Sequence, residues 1–366
     1  MASITLAHAA DYTAINLGSL GGSPTYPFGI NSSGQVVGTS TTSNGDTNAF
    51  ITGPNGQGMT DLGTLPGYTV SGADGVNSYG QVVGYSASSS SLGAPEHAFI
   101  TSANGQGMFD LGTLGGSSSE SFAINDNGQV VGASFTSSGS KHAFITGYNG
   151  QGMIDLGTLG GQNSEANSIN ANGQVAGWSL TSSGDPHAFI TGANGQGMID
   201  LGTLPGNNWS FANGINASGQ VAGTSQTMTG SPPGFVSQSN TQAFITGPNG
   251  QGMIGLGTLG GSMSAANGVN DLGEVVGVSA ISDGTSHAFV TGSNGIGMID
   301  LNSLVTLSGG DYLDSAFAIN DNGQILAGSN VGEAYLLTPV PEPESYALML
   351  AGLSLVGVAA SRRKQA

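Results

Sequence analysis

The chain has 366 residues, including 65 Gly and no Cys, and its formal net charge is −18. Without Cys there are no disulfides, no thiol catalysis and no Cys-ligated metal. An acidic body repels nucleic acid and anionic lipid headgroups, and here Lys141 is the only Lys or Arg ahead of the terminal cluster Arg362, Arg363 and Lys364.

In chain order, residues 1–10 come first and contain Ala7-His8-Ala9, the small-x-small pattern that precedes a signal-peptidase cut. They read as the remnant of a signal peptide that starts further upstream. Tyr12 to Leu17 follows as a lone strand. Then a Leu-Gly-Thr-Leu-Gly-Gly pattern recurs, with close copies starting at Leu17, Leu62, Leu111, Leu156, Leu201 and Leu256 and a degraded one at Leu301. The steps are 45, 49, 45, 45, 55 and 45 residues, the period of β-propeller blades.

One unit shows four strands. Glu120 to Asn125 is short and apolar, Asp126-Asn127-Gly128 is a turn, and Gln129 to Ser134 is β-branched at its centre. Thr136 to Ser140 is a polar loop, His142 to Thr146 a third strand, Asn149 to Gly152 a second turn, and Met153 to Leu159 a fourth strand. Gly160-Gly161 reads as a link to the next unit. The inner-strand motif, Ile or Val then Asn, occurs at Ile30, Val76, Ile124, Ile169, Ile215, Val269 and Ile319. This predicts an all-β, seven-bladed β-propeller of four-stranded blades. The last unit lacks its fourth strand, so Tyr12 to Leu17 is expected to pair near Tyr335 to Leu337 and close the ring as a monomer.

The tail reads Val340-Pro341-Glu342-Pro343, an apolar run from Ala347 to Ala360, then Arg362, Arg363 and Lys364. With its flanks the run is expected to form a membrane helix before processing, its basic end cytoplasmic. These three parts resemble the PEP-CTERM sorting signal of Gram-negative bacteria. The resemblance implies recognition by an exosortase, transient membrane insertion, and delivery to the cell surface or exopolysaccharide matrix. The third strands read His-Ala-Phe at His97, His142, His187 and His287, with Asn48 and Gln242 as variants. They resemble the HAF family of bacterial extracellular repeats, a likeness covering Asp11 to about Thr338. The chain thus divides into 1–10, a propeller over 11–338, and a sorting segment over 339–366.

Candidate chemistry is sparse. The four His sit at equivalent points of different blades, too far apart to share a metal, and read as strand-edge groups bonding to backbone or water. The turns at Asn125, Asn320 and, loosely, Asn270 resemble calcium loops, but calcium needs six to eight oxygens and other blades carry Asn-Ser-Ser-Gly or Asn-Ala-Asn-Gly at the same place, so they read as hairpin turns. Asp61, Asp110, Asp155, Asp200 and Asp300 repeat, which suits hydrogen bonds between blades better than catalysis. Glu120 and Glu165 share a repeat position and are a weak match to paired carboxylates for glycoside hydrolysis. No catalytic, cofactor or metal residue is assigned. Loops between second and third strands vary most, so a binding face is expected there. The expected function is an exported surface or matrix propeller that binds or supports exopolysaccharide. A carbohydrate lyase or hydrolase on the same scaffold is the alternative.

Overall fold

The computed structural model describes residues 12–91, 93–229 and 237–340. Among them lie seven four-stranded antiparallel sheets, arranged as seven blades. Blades 1 to 6 span residues 21–61, 70–112, 115–157, 160–202, 209–255 and 260–300. Blade 7 takes three strands from residues 313–339 and its fourth from Tyr12–Asn16. That strand pairs antiparallel with Ala334–Pro339, with Asn16 opposite Tyr335 and Tyr12 opposite Pro339. The ring is therefore closed by hydrogen bonds between the two ends of the propeller, as the missing fourth strand predicts.

Two strand boundaries differ from expectation. The inner strand of blade 3 runs Gly115–Ile124, five residues earlier than Glu120, and the equivalent strands of blades 1, 4 and 6 also start on the glycine pair. The pair is part of the strand because it lies against the neighbouring backbone: a Cβ on Gly116 would sit 2.5 Å from the Phe135 carbonyl oxygen. In blades 2 and 5 the sequence is Leu65-Pro66-Gly67 and Leu204-Pro205-Gly206, and the inner strands start only at Val70 and Trp209. A proline there has no N–H for the ladder and turns the chain away. The fourth strand of blade 3 is also shorter than expected, Met153–Gly157.

Seven hydrophobic clusters fill the ring, one between each pair of adjacent blades. The third-strand Phe residues, such as Phe144, are fully buried, and Phe144 packs on Val83 and Ile100 of the preceding blade. Each such ring contributes about 1.5–3 kcal/mol by burial.

On the face opposite the variable loops, the two turns of each of blades 1 to 6 are bound together. Gly150 N–H donates to the Gly128 carbonyl at 2.9 Å, and Asn149 adopts φ +52°, a conformation Asn tolerates. A Cβ on Gly128 would sit 2.8 Å from the Asn149 nitrogen, so only glycine allows the two turns to meet. On this face the inner-strand Asn residues also form a closed ring. Asn31, Asn77, Asn125, Asn170, Asn216, Asn270 and Asn320 each donate from Nδ2 to the backbone carbonyl of the next Asn, at 2.8–3.4 Å.

Among the described residues no helix is long and apolar enough to cross a membrane. The helix expected over Ala347 to Ala360, together with Pro341, Glu342, Pro343, Arg362, Arg363 and Lys364, lies outside the described residues. Val340 is described and is 40% exposed.

Candidate functional site

The repeated His and Asp residues meet each other, which corrects two expectations. His142 Nδ1–H donates to Asp155 at 2.8 Å, and the same pairing joins His97 to Asp110, His187 to Asp200 and His287 to Asp300. The His partner is thus a carboxylate rather than backbone or water, and the Asp bonds lie within a blade rather than between blades. The third-strand Phe stands opposite the Asp, so the His two residues earlier on the same face is the Asp's diagonal neighbour. Asp155 Oδ1 also accepts the Gly157 N–H at 2.7 Å, holding the start of the loop to the next blade.

The variants of the motif obey the same logic. Asn48 donates to both oxygens of Asp61 at 3.0 and 2.9 Å. In blade 7 the pair is inverted, with Asn16 donating to Glu333 at 2.7 Å. In blade 5, Gln242 and Gly255 take the two positions, and both members have changed together. The pair is a buckle that closes the outer edge of every blade but the fifth.

The Asn-Asp-Asn-Gly turns act as hairpin turns and as joints. Asn125 Oδ1 accepts the N–H groups of Asn127 and Gln129 at 3.1 and 3.0 Å. Asp126, Asp271 and Asp321 each accept a backbone N–H of the preceding blade, at 2.8–2.9 Å. A cavity of about 310 Å³ opens at this axial mouth, lined by the inner-strand Ile, Val and Asn residues. Its carboxamides are already committed to the ring.

The opposite mouth is where the repeat breaks down. Five residues before each ring Asn, blade 2 has Gly72 opposite Tyr85 and blade 3 has Glu120 opposite Ala133. Blade 4 has Glu165 opposite Trp178, and blade 5 has Phe211 opposite Thr224. Glu96 and Lys141 start third strands immediately after variable loops, and so join the same face.

Together these side chains make a continuous strip across blades 2 to 5. Lys141 Nζ donates to Glu165 Oε2 at 2.8 Å across the seam between blades 3 and 4, and lies 6.0 Å from the Phe122 ring centroid. Trp178 Nε1–H donates to the other Glu165 oxygen at 3.3 Å. The Trp178 edge meets Phe211 at 5.9 Å, and Trp209 meets Phe211 at 6.3 Å. Trp209 Nε1–H donates to Asp185 at 3.1 Å. All these side chains are half-buried, so each keeps part of its surface exposed.

The electrostatics are unusual for so acidic a chain. Burial pushes the Glu120 carboxyl up to about 7, with Glu96 adding to the effect and Lys141 opposing it. Burial also raises Glu96, against the pull of Lys141. Asp74, on the inner strand of blade 2, is held well above the usual carboxyl range by burial and then by Glu120 and Glu96. Burial pushes the Tyr85 phenol up to about 12, with Asp74, Glu120 and Glu96 contributing. Burial pulls the Lys141 ammonium down, but Glu165, Glu120 and Glu96 outweigh it and leave it above its ordinary value.

Of the residues singled out from sequence, Glu120 and Glu165 belong to this strip. Lys141 joins them, while Asp74, Tyr85, Glu96 and Trp178 carried no sequence signal except that they break the repeat. The strip lies on the face of the variable second-to-third loops, where binding is expected.

Residues 339–364 match the family described as PEP-CTERM protein-sorting motif. No curated protein matches the chain. Solved structures similar in fold include three with TM-scores of 0.51 to 0.53. YCF48 bound to D1 peptide is 12% identical, with a TM-score of 0.53 over 92% of this chain and 97% of that one. A puromycin hydrolase mutant complexed with PGG is 12% identical, with a TM-score of 0.51 over 84% of this chain and 50% of the hydrolase. The β-propeller domain of the Trilobed protease from Pyrococcus furiosus is 7% identical, with a TM-score of 0.51 over 87% and 96%. That domain has an open velcro topology, whereas this ring is closed by its first strand. At these identities the likeness is one of fold alone.

Proposed function

We propose that this is an exported surface or matrix protein whose propeller, residues 11–338, binds a polysaccharide along the acid-aromatic strip. The sorting motif implies export, a cell-surface location and processing by an exosortase. Residues 1–10 are the signal remnant in this reading. Residues 339–366, with Val340, Pro341, Glu342, Pro343, Arg362, Arg363 and Lys364, form the sorting segment.

The observation that carries the reading is the concentration of unrepeated side chains at one mouth of an otherwise uniform ring. Polyol ligands present C–H faces that pack on aromatic rings and hydroxyls that donate to carboxylates. Trp178, Phe211 and Tyr85 supply the first, and Glu96, Glu120 and Glu165 the second. Lys141, the only cation of the strip, is already paired with Glu165, so neutral or amino-bearing glycans fit and polyuronates are repelled.

The test is a glycan array on the exported protein, with Trp178→Ala and Glu165→Gln as variants. Neutral or amino glycans bound by the native protein and lost by both variants support the reading. Binding that survives both variants overturns the placement at the strip.

One observation favours a carbohydrate-cleaving enzyme as a second reading. A Glu120 carboxyl at about 7 keeps a proton near neutrality, as a general acid must. Turnover of an array ligand that is abolished by Glu120→Gln, with binding retained, would establish it. Retained turnover in that variant would remove Glu120 from the chemistry.

A further inference from the structure

Three blades share a cross-blade bond at the inner-strand bulge. Asn167 Nδ2 donates to the Ala212 carbonyl at 2.9 Å, Asn213 to Ala266 at 2.8 Å, and Asn267 to Ala316 at 2.8 Å. In each case the acceptor lies four residues before the ring Asn of the following blade. Blade 2 has Asp74 at this position, and the corresponding carbonyl in blade 3 is that of Ser121. An ionised carboxylate has no proton to donate. Asp74 Oδ2 is sealed from solvent and is the one buried side-chain oxygen or nitrogen without a partner among the described residues.

We propose that Asp74 is a neutral carboxylic acid whose Oδ2–H donates to the Ser121 carbonyl, doing for the blade 2–blade 3 seam what Asn does for three others. The proton turns an acceptor facing an acceptor into a hydrogen bond and removes a buried charge. The surroundings favour the neutral form. On the elements packed against the blade 2 inner strand, the ionisable groups are Tyr26, Tyr85 and Glu120. Glu96 lies within electrostatic reach, and Lys141 acts on Glu96 and Glu120 from beyond them. Burial and the two glutamates all oppose ionisation. Losing the proton would break the seam bond and add a third negative charge beside Glu96 and Glu120, so the seam is a proton-sensitive joint under the strip.

The sign follows from linkage. A carboxyl raised on folding favours the native state most at low pH, below its unfolded value of about 4. That advantage is lost as pH rises towards the folded value, about tenfold in the folding constant per pH unit within the window. Glu120 adds a similar slope up to about 7, in native protein and variant alike.

The experiment compares the full-length protein with Asp74→Asn across pH 4.5 to 9, by urea unfolding. Asn supplies the donor permanently, so the variant should match or exceed the native stability at high pH and lose about a tenfold change per pH unit from the native slope. Parallel pH profiles for the two proteins would overturn the proposal. Infrared spectra at neutral pH give a readout independent of stability: the protonated-carboxyl C=O band should weaken in Asp74→Asn and in Asp74→Leu. An unchanged band in both variants would likewise overturn it.

Discussion

Replacing Asn125 by Ala tests whether the Asn ring holds the blades together. Asn125 is 6% exposed and uses its carboxamide four times. Nδ2 donates to Gln129 Oε1 at 3.0 Å and to the Asn170 carbonyl of the next blade at 3.1 Å. Oδ1 accepts the Asn127 and Gln129 N–H groups at 3.1 and 3.0 Å. The Asn170 carbonyl keeps its second partner, the Gly173 N–H at 3.0 Å. The buried Gln129 N–H has none left, at about 1–3 kcal/mol, and the other three bonds are worth about 0.5–1.5 kcal/mol each. The expected loss is about 3–6 kcal/mol. Asn127→Ala is the control. Its side chain is exposed and makes one long bond, to the Ala171 carbonyl at 3.3 Å, so it should cost less than about 1 kcal/mol. Asn125→Asp keeps the acceptor and loses both donations, and its carboxyl would be raised on folding. Its penalty should therefore grow as pH rises above about 4 and shrink on acidification. Urea unfolding followed by the fluorescence of Trp178 and Trp209, the chain's two tryptophans, measures all three variants. If Asn125→Ala lies within about 1 kcal/mol of the native protein, the ring is a consequence of the fold and not a support.

Deleting residues 11–18 removes the closing strand and Leu17, which is buried among Val36, Phe50 and Leu336. Melting temperature should fall and the bare edge of blade 7 should promote association; an unchanged melting temperature and monomeric elution would contradict the closure role. A double-mutant cycle on His142→Ala and Asp155→Ala should give a coupling of about 0.5–1.5 kcal/mol, with the Asp change costlier because Gly157 loses its acceptor. Conversely, Gln242→His with Gly255→Asp should supply the buckle that blade 5 lacks and raise stability by about 0.5–1 kcal/mol. No gain would show that the buckle adds nothing to the stability of a blade. Intact mass and fractionation of native protein, with and without the exosortase, should show residues 347–366 lost only when the enzyme is present. Retention of the tail in the inner membrane in both strains would replace sorting by a permanent anchor.

The architecture was largely legible because a blade is a local object. Strand period, Asn-Gly turns and a spacing near 45 residues specify four strands per unit, and the unmatched strand at Tyr12 specifies the closure. The early start of the inner strand was missed because Gly160-Gly161 has no side chain to report its pairing; the Pro66 and Pro205 variants, where the strand starts late, were the available signal. Pairing each His with an Asp thirteen residues later depended on the register of the third and fourth strands, and the joint change at Gln242 and Gly255 was its trace in the sequence.

The sequence by itself determined the repeat, the blade count, the acidity and the sorting tail, since all follow from residues adjacent in the chain. Tertiary structure alone decided the strip. Glu120 and Glu165 are 45 positions apart, yet Lys141, on the third strand of Glu120's own blade, joins their surroundings because adjacent blades bring equivalent positions side by side. Asp74 shows the same dependence. In sequence it is one Asp in a short strand, and only the fold shows its Oδ2 sealed from solvent and unpartnered at the position where Asn in three other blades donates across the seam. Side-chain type and spacing encode bonds made within a blade, whereas bonds made between blades depend on how seven sheets close into one ring.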